Sequence, residues 1–277
     1  MPELPEVETV RKGLEKKVIG KKILKVKVNR SKTLENISPE NFQKKLSGQR
    51  FKSIRRKAKY LFLEMENGLV LIVHLKMSGT FLVQEITSPE PVHTHIIFML
   101  DNEKILRFKD LRAFGRISLY NSFKEAQKIG SIPFLAPEPI EDSFTLSHFQ
   151  ESLKKYKSPI KTLLLDQTKA VSGMGNIYAD EALFLAGIRP TRKANSLKKN
   201  EVQELYASIK RVITDSIKIG GTSIRDYVQT DGSLGNYALN LFVYGKKKSE
   251  ECLVCKTPIE YIRLGQRGTH FCPRCQK

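Results

Sequence analysis

From Pro5 the apolar residues fall at steps of three and four, at Val7, Val10, Leu14 and Val18, with acidic residues early, lysines late and Gly20 as a stop. That spacing predicts an amphipathic helix whose charges complement its dipole. At Ile23 the period changes to two in ILKVKV, and strand-like runs follow at YLFLEM, LVLIVHL, HIIFML and ILRF. Asn67-Gly68, between two of these runs, predicts a tight hairpin. Residues up to about 120 therefore read as a sandwich or flattened barrel behind one leading helix.

The stretch from Ile129 to Phe144 holds several prolines and little periodicity, and reads as an interdomain linker. Helical signals dominate beyond it. Ser158-Pro159 is expected to cap IKTLLLDQ, and Asn176 to cap IYADEALFLA, which Gly187 and Pro190 end. Ser196 is expected to start a longer helix with Val202, Leu205, Ile209, Val212, Ile213 and Ile217 on one face, ending at Gly220-Gly221. Residues 222–240 are polar and turn-rich. The expected fold is α+β and multidomain: an N-terminal β-sandwich over residues 1–130, a helical domain over 131–240 and a small metal module over 241–277.

Charge changes the picture. Across 277 residues, 48 Lys and Arg face 29 Asp and Glu, a formal net charge of +19. Such an excess calls for a polyanion, either nucleic acid or an acidic membrane surface. No apolar run reaches the roughly 18 residues of a membrane span. The first residues, MPELPE, carry carboxylates where a signal peptide carries cations, so a cytosolic protein is expected.

All four cysteines lie near the end, as Cys252-x2-Cys255 and Cys272-x2-Cys275 with sixteen residues between the pairs. Paired cysteines at this spacing predict a structural zinc held by four thiolates, with no open coordination position. The site could simply staple the tail. However, Arg263 and Arg267 lie between the pairs and Lys246, Lys247 and Lys248 lie just before them, which favours a hairpin presented to phosphates.

At the other end, removal of Met1 would make Pro2 a terminal secondary amine. An α-amine titrates near about pH 8 against about 10.4 for lysine, so far more of it is unprotonated at neutral pH. Such an amine can attack an electrophilic sugar carbon while Glu3 moves protons. Read by composition alone, the same residues do no more than introduce a helix. A third cluster, Lys52-Ser53-Ile54-Arg55-Arg56-Lys57-Ala58-Lys59-Tyr60, carries five cations. Strict alternation would put Arg55, Lys57 and Lys59 on one face. A fourth, Gly173-Met174-Gly175-Asn176, opens a helix and could hold a phosphate on free N–H groups, or be a plain joint. It lacks the Lys and Ser/Thr of a nucleotide loop, so no nucleotide cofactor is expected.

Taken together, MPELPEVETV, RRKAKYL, HLKMSG, SGMGNIYADEALF and RGTHFCPRCQ resemble the bacterial formamidopyrimidine-DNA glycosylase family, in the family's order and over essentially the whole chain. The resemblance implies a bifunctional repair enzyme that removes 8-oxoguanine and ring-opened purines from duplex DNA and cleaves the strand at the abasic site. It implies a β-sandwich, a helix–two-turn–helix domain and a zinc finger, with DNA held between the halves. It also implies one structural zinc, no redox cofactor, no membrane partner, and a monomer in the bacterial cytoplasm associated with the nucleoid.

Position by position, the resemblance makes Pro2 the nucleophile, Glu3 the proton shuttle and Glu6 a group of the base pocket. Lys59 is expected near the lesion, with Lys57 an adjacent candidate in the same run. His74, Asn176 and Arg267 match phosphate-binding positions, and Met77, Arg112 and Phe114 match the residues that fill the hole left by the extruded nucleotide. Ala113 stands where many relatives carry a second cation, and Ala136 where Gly is common. Two rivals remain: the sister endonuclease for oxidised pyrimidines, and a DNA-binding protein without chemistry. Leu4, the Arg112/Phe114 pair and the RGTHFCPRCQ tail favour the purine enzyme, and the presence of both Pro2 and Glu3 argues against loss of chemistry.

Overall fold

The computed structural model describes residues 2–222, 230–233, 235, 237–247 and 250–277, with the backbone alone at 238 and 239. In chain order the elements begin with α1 (Leu4–Val18), β1 (Ile23–Val28), α2 (Pro39–Leu46), β2 (Phe51–Lys57), β3 (Tyr60–Met65) and β4 (Val70–His74). It continues with β5 (Gly79–Glu85), β6 (Thr94–Leu100), β7 (Lys104–Asp110), β8 (Arg116–Tyr120) and α3 (Phe123–Ala126). Then follow α4 (Leu146–Lys154), α5 (Ile160–Leu165), α6 (Asn176–Leu185), α7 (Lys199–Lys218), β9 (Glu260–Leu264) and β10 (Arg267–Phe271). The chain forms two compact units, Met1–Pro133 with Ile219–Ala238 and Phe134–Lys218 with Leu239–Lys277.

The first unit holds two four-stranded antiparallel sheets, β1-β6-β7-β5 and β2-β3-β4-β8. Apolar residues from both sheets and from α1 and α2 form one cluster, in which Phe98 meets Phe42 and Phe51 edge-on at 6.2 and 6.4 Å. Ring edges against ring faces suit aromatic quadrupoles and add to the burial. α1 puts Val7, Val10, Leu14 and Val18 fully inside, as the spacing requires. β3 and β4 pair through the turn at Asn67-Gly68, where Gly68 has φ of +88° and Leu69 N–H donates to Asn67 Oδ1 at 3.1 Å.

Several elements lay outside the periodicity. α2 is a second helix between β1 and β2, started by Ser38, whose hydroxyl accepts from Asn41 N–H at 3.3 Å. β2, β5 and β8 are strands that alternation did not single out. The expected common face of Arg55, Lys57 and Lys59 is wrong. β2 ends at Lys57, and Ala58 turns with φ of +48°, so the parity breaks; Arg55 is exposed while Lys59 is buried.

In the second unit α6 is apolar on nearly all sides and buried from Ile177 to Phe184, as a central helix must be. Three helix starts differ from expectation. Gly175 caps α6 and Asn176 is its first residue; Pro159 caps α5; and α7 begins at Lys199. Ser196 donates its hydroxyl to Lys193 C=O at 2.7 Å, so it is not spent on capping α7, while Glu201 reaches back to accept from Lys198 N–H at 2.7 Å. β9 and β10 form a hairpin through Gly265 and Gln266, both at positive φ.

Candidate functional site

Pro2, Glu3 and Glu6 sit together at the start of α1, all buried. Glu3 is the residue before the helix, and its backbone N–H donates to Glu6 Oε2 at 2.7 Å. The other oxygen of Glu6 accepts from Thr222 N–H at 2.8 Å. Glu6 thus ties the helix start to the residue where the 223–229 stretch begins. At the far end of that stretch Thr230 C=O accepts from Val83 N–H at 2.9 Å. Thr230 also lies so close to α1 that a Cβ on Gly13 would stand 2.3 Å from its hydroxyl oxygen, which explains a glycine within a helix.

Lys59 follows a turn held from α1. Glu8 binds Arg11 and, through Oε2, Arg56 Nε at 2.9 Å, and Arg56 in turn donates to Ala58 C=O at 2.9 Å. Burial pushes the Glu8 carboxyl up, but Arg11 and Arg56 together hold it below its ordinary range. The lysine and the helix start therefore belong to one bonded frame.

His74 ends β4 opposite Tyr60, whose ring meets it edge-on at 4.8 Å. Its pKa falls to about 3, first through burial and then through the positive fields of Lys76 and Lys59. The lysine and the histidine are thus electrostatic neighbours, and the histidine is neutral at pH 7.

Met77 is half-buried in the loop between β4 and β5, and Arg112 and Phe114 are exposed in the loop between β7 and β8. Phe114 is 48% exposed, so it is no core residue. The Arg112 guanidinium carbon lies 5.3 Å from the Phe114 ring centroid, a cation–π arrangement that keeps both side chains together outside the protein.

In the second unit Asn176 donates to Gly268 C=O at 2.9 Å, next to Arg267, which is exposed where β10 leaves the hairpin turn. The glycine loop ahead of Asn176 is fixed by Gln167, which accepts from Gly173 N–H at 2.8 Å and donates to Met174 C=O at 2.9 Å. Lys161 and Asp180 form a buried ion pair at 2.7 Å. Lys161 also donates to Gly268 C=O at 2.8 Å, and Asp180 accepts from His270 N–H at 3.0 Å. Two buried charges thereby grip both sides of the β10 backbone beside Arg267.

The ligand atoms of Cys252, Cys255, Cys272 and Cys275 all lie within 4.8 Å of one another. Tetrahedral zinc with bonds of about 2.3 Å sets its sulfurs roughly 3.8 Å apart, close to the 3.9 Å from Cys252 to Cys275 and 3.4 Å from Cys255 to Cys272. Three of the thiols are in conflict as they stand. Burial first, then neighbouring sulfurs, pushes Cys275 up, while hydrogen bonds with Thr257 draw Cys255 down to about 6. A divalent cation resolves that conflict by taking all four as thiolates. The cluster fits one structural zinc.

Motif reading did not single out Thr222, Glu8, Ser78, Asp110, Gln167, Lys161 or Glu181, which accepts from the N–H groups of Phe242, Val243 and Tyr244. Glu8, Ser78 and Glu181 lie within the quoted motifs without a role assigned to them, and Asp110 carried a local signal of its own, a carboxylate at a strand end before a Gly-terminated turn.

The chain matches the formamidopyrimidine-DNA glycosylase N-terminal domain over residues 1–117, the formamidopyrimidine-DNA glycosylase H2TH domain over 135–228, and the zinc finger found in FPG and IleRS over 249–277. It is 45% identical to the formamidopyrimidine-DNA glycosylase of Listeria monocytogenes over 277 residues, covering 100% of both chains. To that of Bacillus subtilis it is 41% identical, covering 100% of this chain and 99% of the relative. Its structure is similar to that of Lactococcus lactis Fpg solved with DNA containing an abasic site, with a TM-score of 0.91, 37% identity and 99% of each chain covered.

Proposed function

The chain belongs to the formamidopyrimidine-DNA glycosylase family, and from that premise we propose that it excises 8-oxoguanine and ring-opened purines from duplex DNA and then cleaves the strand. In this reading residues 1–130 carry the chemistry, 131–240 the helix–two-turn–helix grip and 241–277 the zinc finger. The enzyme works in the bacterial cytoplasm on nucleoid DNA, as a monomer.

The observation that carries the reading is the start of α1, where Pro2 and Glu3 are buried side by side and Glu6 fixes the backbone between them and Thr222. Once Met1 is removed, the Pro2 nitrogen is a secondary amine. A stacked nucleotide hides C1′ from any amine, so the lesion must first swing out of the helix, at a cost of roughly a few kcal/mol. Phe114 and Met77 fill the vacated space, and Arg112 hydrogen-bonds the base left without its partner.

The Pro2 nitrogen then bonds to C1′ and the C1′–N9 bond breaks, the base leaving with a proton. Glu3 delivers a proton to O4′ as the sugar ring opens, leaving an iminium between Pro2 and C1′. That electron sink acidifies the C2′–H; loss of the proton expels the 3′ phosphate, and a second elimination expels the 5′ phosphate. Water finally releases the amine. Lys59, His74, Asn176 and Arg267 hold the phosphates flanking the lesion. The zinc supplies structure, since its four thiolates leave no position for substrate.

Borohydride reduction during turnover on a duplex with 8-oxoguanine opposite cytosine tests the reading. The expected product is a covalent adduct that peptide mapping assigns to Pro2, on protein whose intact mass lacks Met1. An adduct on Lys59 would overturn the nucleophile, and faster turnover of thymine glycol than of 8-oxoguanine would overturn the substrate.

A further inference from the structure

Met77 and the Arg112–Phe114 pair lie on two different loops, yet filling one gap in a duplex requires them to keep a fixed spacing. A buried carboxylate reaches both loops. Asp110, the last residue of β7, is fully buried and pairs in register with Gly79 of β5. Its Oδ1 accepts from the Ser78 hydroxyl at 2.5 Å and from Arg112 N–H at 3.2 Å, and its Oδ2 accepts from Gly115 N–H at 2.6 Å. Ser78, the neighbour of Met77, closes the circuit by accepting from Arg112 N–H at 2.9 Å.

The loop between these bonds has few other ways to stand. Ala113 takes φ of +56°, a left-handed conformation that an alanine adopts only where its surroundings impose it. A Cβ on Gly115 would come within 2.6 Å of the Phe108 ring and 2.9 Å of Asp110 Oδ2. The carboxylate takes the place of a backbone partner for Arg112 and Gly115, and the residues between them are turned outward as a result.

We infer that Asp110 is a positioning residue for nucleotide extrusion, its carboxylate locking the Met77 loop and the Arg112–Phe114 loop into one rigid insertion unit. The inference rests on the proposal that these three side chains fill the gap in the duplex. Asp110 is fully buried, so its part is to hold other side chains rather than to touch DNA. Its removal should act on extrusion, and through Phe114.

The test uses full-length Asp110→Asn and Ser78→Ala, alone and combined with Phe114→Ala. Asn keeps the shape but sets an amide N–H against a backbone or hydroxyl donor. Two single-turnover rates are measured, excision of 8-oxoguanine from a fully paired duplex and strand cleavage at a preformed abasic site, together with the melting temperature. A misplacement of about 1 Å can cost on the order of 100-fold. Asp110→Asn is expected to slow excision roughly 10- to 100-fold with a much smaller effect on abasic cleavage. Ser78→Ala should show the same split at smaller amplitude. In the Phe114→Ala background the extra loss from Asp110→Asn should largely vanish. Equal losses of both activities in Asp110→Asn, with Ser78→Ala silent, would overturn the inference, as would full additivity with an impaired Phe114→Ala. Unimpaired excision by Phe114→Ala would overturn the insertion reading itself, and the inference with it.

Discussion

The backbone N–H of Lys76 donates to Nδ1 of His74 at 3.0 Å. Because Nδ1 is the acceptor, the neutral ring carries its hydrogen on Nε2, which leaves that nitrogen a donor for a phosphate oxygen. Lys76 reaches the ring by turning at φ of +54°.

Burial together with the charges of Lys76 and Lys59 keeps His74 neutral down to about pH 3 when folded, against about 6.5 when unfolded. Between those values the unfolded chain binds a proton that the folded chain refuses, so stability falls as pH drops from 6.5 towards 3 and is flat above. His74→Gln should therefore lose less stability than the wild type on acidification from pH 6.5 to 4.5, by up to about 1.4 kcal/mol per pH unit. Urea melts at a series of pH values measure it; parallel pH profiles would show that His74 titrates normally.

Phe114→Ala should slow excision from a paired duplex far more than cleavage at a preformed abasic site, where no base has to be extruded. Because nearly half the ring is exposed, the melting temperature should stay close to wild type, unlike the loss of about 3 to 5 kcal/mol that truncating a buried Phe brings. Equal loss of both rates would remove the side chain from the extrusion step.

Arg267→Ala should weaken binding to any DNA sequence and reduce the slope of log K against log salt by about 0.9, one phosphate's worth. Titrations at several salt concentrations check this. An unaltered slope would mean that Arg267 makes no phosphate contact.

Lys161→Met should destabilise the second unit by about 3 to 5 kcal/mol, since it leaves Asp180 buried without its cation. Adding Asp180→Leu should restore part of that loss by removing the stranded charge. Thermal melts of the single and double variants decide; equal melting temperatures for Lys161→Met and wild type would mean that the pair contributes nothing.

Chelating the zinc should abolish DNA binding while the first unit stays folded, because a hairpin this small does not hold its shape without metal. Circular dichroism beside a binding titration reads both. Retained affinity would show that the finger is not part of the grip.

What the sequence made legible depended on the range of the signal. α1, the β3–β4 hairpin and the cysteine quartet are written in residues a few positions apart, where period, turn chemistry and ligand spacing apply. β2 was hidden because Lys52 and Arg55 face solvent while a charged Arg56 turns inward to Glu8 of α1, and the place of Lys59 was hidden because one alanine at positive φ breaks the alternation. Glu181 lies within SGMGNIYADEALF, yet its task is not written there: its carboxylate, raised by burial yet fed by three amides, gathers residues about sixty positions later. Such contacts depend on which backbone groups the fold leaves without partners, and no local pattern records that.

The first unit is assembled from two distant pieces of chain. Glu6 is completed by Thr222 and Val83 by Thr230, and residues 134–218 are built into the other unit before the chain returns. During synthesis the helix start that bears Pro2 must therefore wait for the Thr222 N–H that completes Glu6, until more than two hundred residues have been made. A nascent chain stalled after the sheets would have a sandwich with an unfinished start to α1. The order of manufacture thus delays the full framing of Pro2 until nearly the whole protein exists.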